Sequence, residues 1–220
     1  MKLTVVMTAV LVAATWCGAA GAATPSSAAS AVSATSSGGS TSTGENPNRK
    51  KYVKLMAEVQ KMLDDVQALE DKLPELESKV NDQIRNIKSR DKSGKEVAIP
   101  ETTLKSELGT KNPSAAAKQY RSLKTQVITA RFAVVQKLGP GGAYGKCQEL
   151  VKLDPKDDTL RSQGDDLAGK VKGQYTGMLR KIATLCEAIY DTADEDNAFH
   201  LIRAVDPNDP SATAYFNKKK

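Results

Sequence analysis

The sequence predicts an all-α protein: an elongated antiparallel bundle of three long helices, packed in the manner of a coiled coil and joined by shorter helices. Three observations carry that expectation. Between Lys50 and Ser89 an apolar residue recurs every seven positions, at Tyr52, Val59, Val66, Leu73, Val80 and Ile87. A second series runs three residues behind it, at Leu55, Met62, Leu69 and Leu76, and stops at Gln83. Together they make the a/d seam of a helix whose apolar stripe repeats every 3.5 residues. Two later stretches repeat apolar residues at helical spacing, and no segment shows a long strand-like alternation.

The chain has 220 residues and a net charge of +6. It opens with Lys2, a mostly apolar run from Leu3 to Trp16, and the small-x-small triplet Ala20-Gly21-Ala22. That order reads as a secretory signal peptide over residues 1–23, with Ala22 and Ala23 at the cleavage site. The apolar run is too short for a span of about 20 residues, so a retained membrane anchor is not expected. Trp16 stands before Cys17, where a lipidated cysteine needs a small neighbour. No later stretch is apolar enough to cross a bilayer, and the end of the chain, Tyr215 to Lys220, is no lipid-anchor signal. The expected location is extracellular or at a cell surface. The one near-match to an N-glycosylation acceptor, Asn112-Pro113-Ser114, is blocked by its proline.

Removing the leader takes away only Lys2 among the charges and leaves a net +5. The excess lies at the two ends, in Arg49, Lys50 and Lys51 and in Lys218, Lys219 and Lys220. Such ends read as solvated flanks. Residues 24–47 are Ser, Ala, Thr and Gly in the main. They lack the apolar surface to offset the entropy of ordering, so they read as a flexible linker ahead of a helical domain over residues 48–217.

The first long helix starts near Asn48 and meets Pro74 inside its heptads. A mid-helix proline costs about 3 kcal/mol, yet the register is the same on both sides of it. One kinked helix with its phase kept is the expectation; a break at Lys72-Leu73, with Pro74 opening a second helix, is the alternative. Residues 91–112 read as loop with one short helix, opened by Pro100-Glu101 and closed by Gly109. Asn112-Pro113 then starts the second long helix, whose inner face is Tyr120, Leu123, Val127, Ala130, Val134 and Leu138. Gly139-Pro140-Gly141-Gly142 ends it.

Ala143 to Leu153 reads as a short helix with Tyr144, Cys147, Leu150 and Val151 inward. The third long helix runs from about Asp158 to Tyr190 on Leu167, Val171, Met178, Ile182, Leu185, Cys186 and Ile189. Its first half carries Gly169, Gly173 and Gly177 along one face. Either another backbone approaches there or the helix starts weakly. A short helix through Phe199, Leu201, Ile202 and Val205 is stopped by Asp206-Pro207-Asn208-Asp209-Pro210, and a tail follows.

Cys147 and Cys186 remain after leader removal, and an oxidising compartment favours a disulfide between them. The bridge would close a loop of about 39 residues and contribute about 4 kcal/mol. Geometry works against it. On an unbroken third helix Cys186 lies about 42 Å from Asp158. The bridge therefore requires that helix to begin late, past the glycines, or the connection to double back.

Catalytic signatures are missing. His200 is the single histidine, set between Phe199 and Leu201, and no second histidine or cysteine pair completes a transition-metal site. Neither Asp191–Asp196 nor Asp206–Asp209 has the spacing of a calcium loop. Gly142 to Lys146 lacks the spacing of a phosphate loop, and there is no nucleophile elbow. Aromatics do not interleave with a basic stripe, which speaks against nucleic acid. No enzyme activity, cofactor or metal is expected. The leading expectation is a secreted protein that binds another, unidentified protein along an exposed helical face. By analogy alone this is the plan of many exported surface and effector proteins of pathogens. The alternatives are self-association through the first long helix into a coat, and carriage of a lipid or other apolar ligand.

Overall fold

A computed structural model describes residues 46–90 and 93–219. The expected signal peptide, its expected Ala22–Ala23 cleavage site and the expected linker up to residue 45 lie outside the described residues. Those described are mostly helical: eight helices and one two-stranded hairpin.

Helix α1 spans Pro47–Glu70. Asn46 caps it, its side chain accepting from the Asn48 amide at 3.0 Å, with Pro47 at the first helical position. Asn46 Nδ2 also donates to the Pro155 carbonyl, tying this end to a distant corner. Tyr52, Leu55, Val59, Leu63 and Val66 are buried. Leu63, rather than the seam's Met62, turns fully inward, because a straight helix of 3.6 residues per turn drifts against a 3.5-residue repeat.

At Pro74 the expected single kinked helix gives way to two. Helix α2, Leu73–Arg85, follows after Asp71 and Lys72, with the proline in its first turn. Pro74 has no N–H for the Glu70 carbonyl, and its ring excludes that carbonyl. Asp71 and Lys72 nevertheless keep right-handed helical dihedrals, and Lys72 bonds three residues back, to Leu69. The turn tightens without reversing, so the phase carries through. Val59, Val66, Leu73, Val80 and Ile87 are all buried. Ile84 takes the inward place next to the exposed Gln83.

The segment after α2 holds a hairpin where loop was expected. Strands β1, Lys88–Arg90, and β2, Glu96–Ala98, pair antiparallel, Ser89 opposite Val97. All six residues are exposed, so no burial pattern marks them. Helix α3 is Glu101–Leu108, with Leu104 and Leu108 buried. Helix α4 is Ala115–Leu138, capped by Ser114 rather than Asn112. Beyond the expected face it also buries Ile128 and Val135.

Helix α5, Ala143–Val151, leads into α6, Asp158–Ala188, which is unbroken through all its glycines and capped by Asp157. Helix α7, Thr192–Val205, folds back on α6. The expected tail is a nine-residue helix of its own, α8, Pro210–Lys218. Asp209 explains it: its carboxylate accepts from the Ser211 and Ala212 amides and pairs with Arg180, while Pro210 occupies the first helical position.

Helix α6 is the hub, packed against α1, α4, α5 and α7. Helices α2 and α4 run in opposite senses, Glu77 meeting Arg131 and Asn81 meeting Lys124. So do α4 and α6: Arg131 reaches Met178, and Arg121 donates twice to the Ile189 carbonyl at 2.8 and 3.1 Å. The disulfide expected between Cys147 and Cys186 is absent; both thiols are free and buried. The unbroken α6 is the reason. Cys147 lies beside Gly169, about 25 Å of helix from Cys186, whereas a bridge needs Cα atoms within about 7 Å.

Candidate functional site

Helix α5 carries two apolar stripes. Ala143, Cys147 and Leu150 face the core and are buried. Tyr144, Gln148 and Val151, spaced four and three residues apart, lie on a second face turned from the first. Val151, expected inward, is 60% exposed, more than any other large apolar side chain among the described residues.

That second face forms one wall of a groove of about 450 Å³. The opposite wall is α6 at Ala168, Gly169 and Lys172. A Cβ placed on Gly169, Gly173 or Gly177 would meet nothing within 4 Å. The small-residue stripe is therefore not packed against another helix of this chain. Of the three, Gly169 lines the groove and leaves bare helical backbone there. The glycine that does admit a close approach is Gly164, where a Cβ would fall 1.8 Å from the Tyr52 hydroxyl.

The groove floor carries no charge. Tyr144 stacks on the buried Tyr175, ring centroids 6.2 Å apart. Burial pushes the Cys147 thiol up to about 11, so it stays protonated at neutral pH. Cations stand at the rim. Lys172 pairs with Asp206 at 3.2 Å, and Lys152 has no ion-pair partner among the described residues. The combination is an apolar trough with a backbone-thin wall and a positive edge. It offers shape and charge for recognition.

The other residues singled out from the sequence are placed elsewhere. The seam of α1 and α2 is core. Cys186 sits deep in α6, its thiol raised to about 12 by burial and then by Asp191, Asp194 and Glu195. His200 is exposed on α7 and packs its ring against Phe216, centroids 4.8 Å apart. Among the described residues no three metal-ligating side chains gather, and no helix is long and apolar enough to cross a membrane. Val151 is the groove residue expected inward and found exposed, whereas Tyr144 is half-buried and packs against the core as expected. Their spacing with Gln148 was the available signal.

Comparison with protein-family models, with curated proteins and with solved structures gives no match.

Proposed function

We propose that this chain is an exported, non-enzymatic helical scaffold that binds another protein through the groove between α5 and α6. The long helices act as an elongated antiparallel three-helix bundle with coiled-coil seams, which makes a stiff support for that groove. The occupant best matched to it is an amphipathic helix presenting small apolar side chains, with carboxylates toward Lys152. The observation that carries this reading is Val151, exposed beside the open backbone of Gly169. An apolar side chain so placed contributes little to its own fold and is available to a partner.

Self-association through the first long helix is the lesser alternative. Val59 and Val66 are wholly buried within the chain, so only the outer face of α1, largely polar apart from Val53, is left for it. Carriage of an apolar ligand is likewise less favoured, because the bundle interior is filled by its own side chains.

The test is capture from the extracellular milieu or a target-cell surface, with the mature protein and two variants as bait. Val151→Asp should lose the partner, while Val53→Asp, altered at an exposed valine on α1, should keep it. Equal retention by both variants would remove the groove from the reading. Capture of nothing by any bait would remove protein binding itself. Light scattering that gave a strict monomer would dispose of the coat alternative.

A further inference from the structure

A second cavity lies on the far side of α6 from the groove and shares none of its residues. It holds about 290 Å³ between α2, α4 and α6, with Glu77, Asn81, Lys124, Val127, Arg131, Lys181 and Thr184 around it. Three cations converge there. Lys124 and Arg131 are deeply set, their side chains 13% and 12% exposed, which is unusual for charged groups. Lys124 is matched by Glu101 at 3.0 Å, and Arg131 by Glu77. Lys181 has no ion-pair partner among the described residues. Glu77 is the one carboxylate lining this cavity; Glu70 lines the adjoining one, which also reaches Arg131 and Lys181.

Arg131 is also short of acceptors. A guanidinium has five N–H donors and no acceptor. One terminal nitrogen donates to Glu77 and the other to the Met178 sulfur at 3.3 Å, a weak acceptor. Its Nε is buried with no hydrogen-bond partner. Buried donors are almost always satisfied, and an orphan on a charged group is costly. A pocket that sets an unpaired lysine beside a guanidinium wanting oxygen fits an oxyanion, which takes charge-assisted bonds from arginine and lysine together. Asn81 and Thr184 add neutral polar groups, and Val127 leaves room for a short apolar body.

We infer that the α2–α4–α6 cavity binds a small organic or inorganic monoanion with an oxyanion head, a carboxylate or a phosphate. The head sits between Lys181 and Arg131, with Glu77 yielding part of its hold on the guanidinium. This site is independent of the proposed docking groove.

The test uses the ¹⁵N-labelled mature protein and follows the Arg131 Nε–H resonance. Sodium propionate, inorganic phosphate and sodium chloride are titrated separately at constant ionic strength. The expected result is a saturable shift with propionate or phosphate and none with chloride; which of the two acts tells a carboxylate site from a phosphate site. Lys181→Gln, at an exposed position that leaves the fold intact, should weaken the binding roughly tenfold. Lys218→Gln, on α8, should leave it unchanged. No saturable shift with either oxyanion, an equal response to chloride, or an unaltered Lys181→Gln variant would overturn the assignment.

Discussion

Two glycines of α6 show how local surroundings decide what a methyl group does. At Gly164 an added Cβ would fall 1.8 Å from the Tyr52 hydroxyl and 3.1 Å from a Leu150 methyl. Tyr52 is buried and its hydroxyl donates to the Arg161 carbonyl at 3.3 Å, so it has little room to retreat. Gly164→Ala should therefore destabilise the protein by about 1–3 kcal/mol. At Gly173 the same atom meets nothing, and Gly173→Ala should stabilise by about 0.5–1 kcal/mol through the helix backbone alone. Urea denaturation of the two variants checks both signs. The sequence shows four glycines in one helix and cannot say which of them touches a neighbour. Gly164 lies five residues before the stripe of Gly169, Gly173 and Gly177, and its importance comes from a tyrosine on another helix.

Among the elements, α8 depends most on one residue. Asp209 is 1% exposed. Burial opposes its charge, but the Ala212 amide, the Arg180 guanidinium and the Ser211 amide outweigh burial and hold the carboxyl below its ordinary 3.8. Arg180 is 43% exposed, so solvent screens the ion pair and the capping bonds do most of the work. Asp209→Ala should cost about 1–2 kcal/mol at neutral pH. Because the folded value is the lower one, that advantage is complete above pH 3.8 and disappears as the pH falls through the folded value. Melting temperatures of wild type and variant should converge there. The same Asp-Pro pair reads from sequence as a terminator, since a proline that ends one helix can equally open the next. The hairpin of β1 and β2 is illegible in the sequence for a different reason: its side chains are exposed, so no periodicity is written into them. Helices α3 and α4 were readable because Gly109 and the Asn112–Ser114 stretch are strong stop and start signals, although Ser114 holds the cap.

At the scale of the molecule, the helical class and the buried seam were legible because a sevenfold pattern survives the interruption at Pro74. The state of the cysteines was legible only as a conflict between compartment and geometry, and the uninterrupted α6 resolves it in favour of free thiols. Both are buried and raised in pKa, so neither should react with a thiol reagent at pH 8 until the chain unfolds, when both should react together. A non-reducing mass two daltons lighter than that of the reduced chain would reveal a bridge instead. The groove was not legible, because it depends on how α5 is rotated against α6, and a short helix with two apolar stripes does not declare which one is inside. The most direct measurement is amide hydrogen exchange along the chain. The α6 amides from Val171 to Cys186 and the α4 amides from Leu123 to Leu138 should be the slowest, with the hairpin at 88–98 exchanging fast. An α6 that exchanged as quickly as the hairpin would contradict the hub on which the fold, the groove and the cavity all rest.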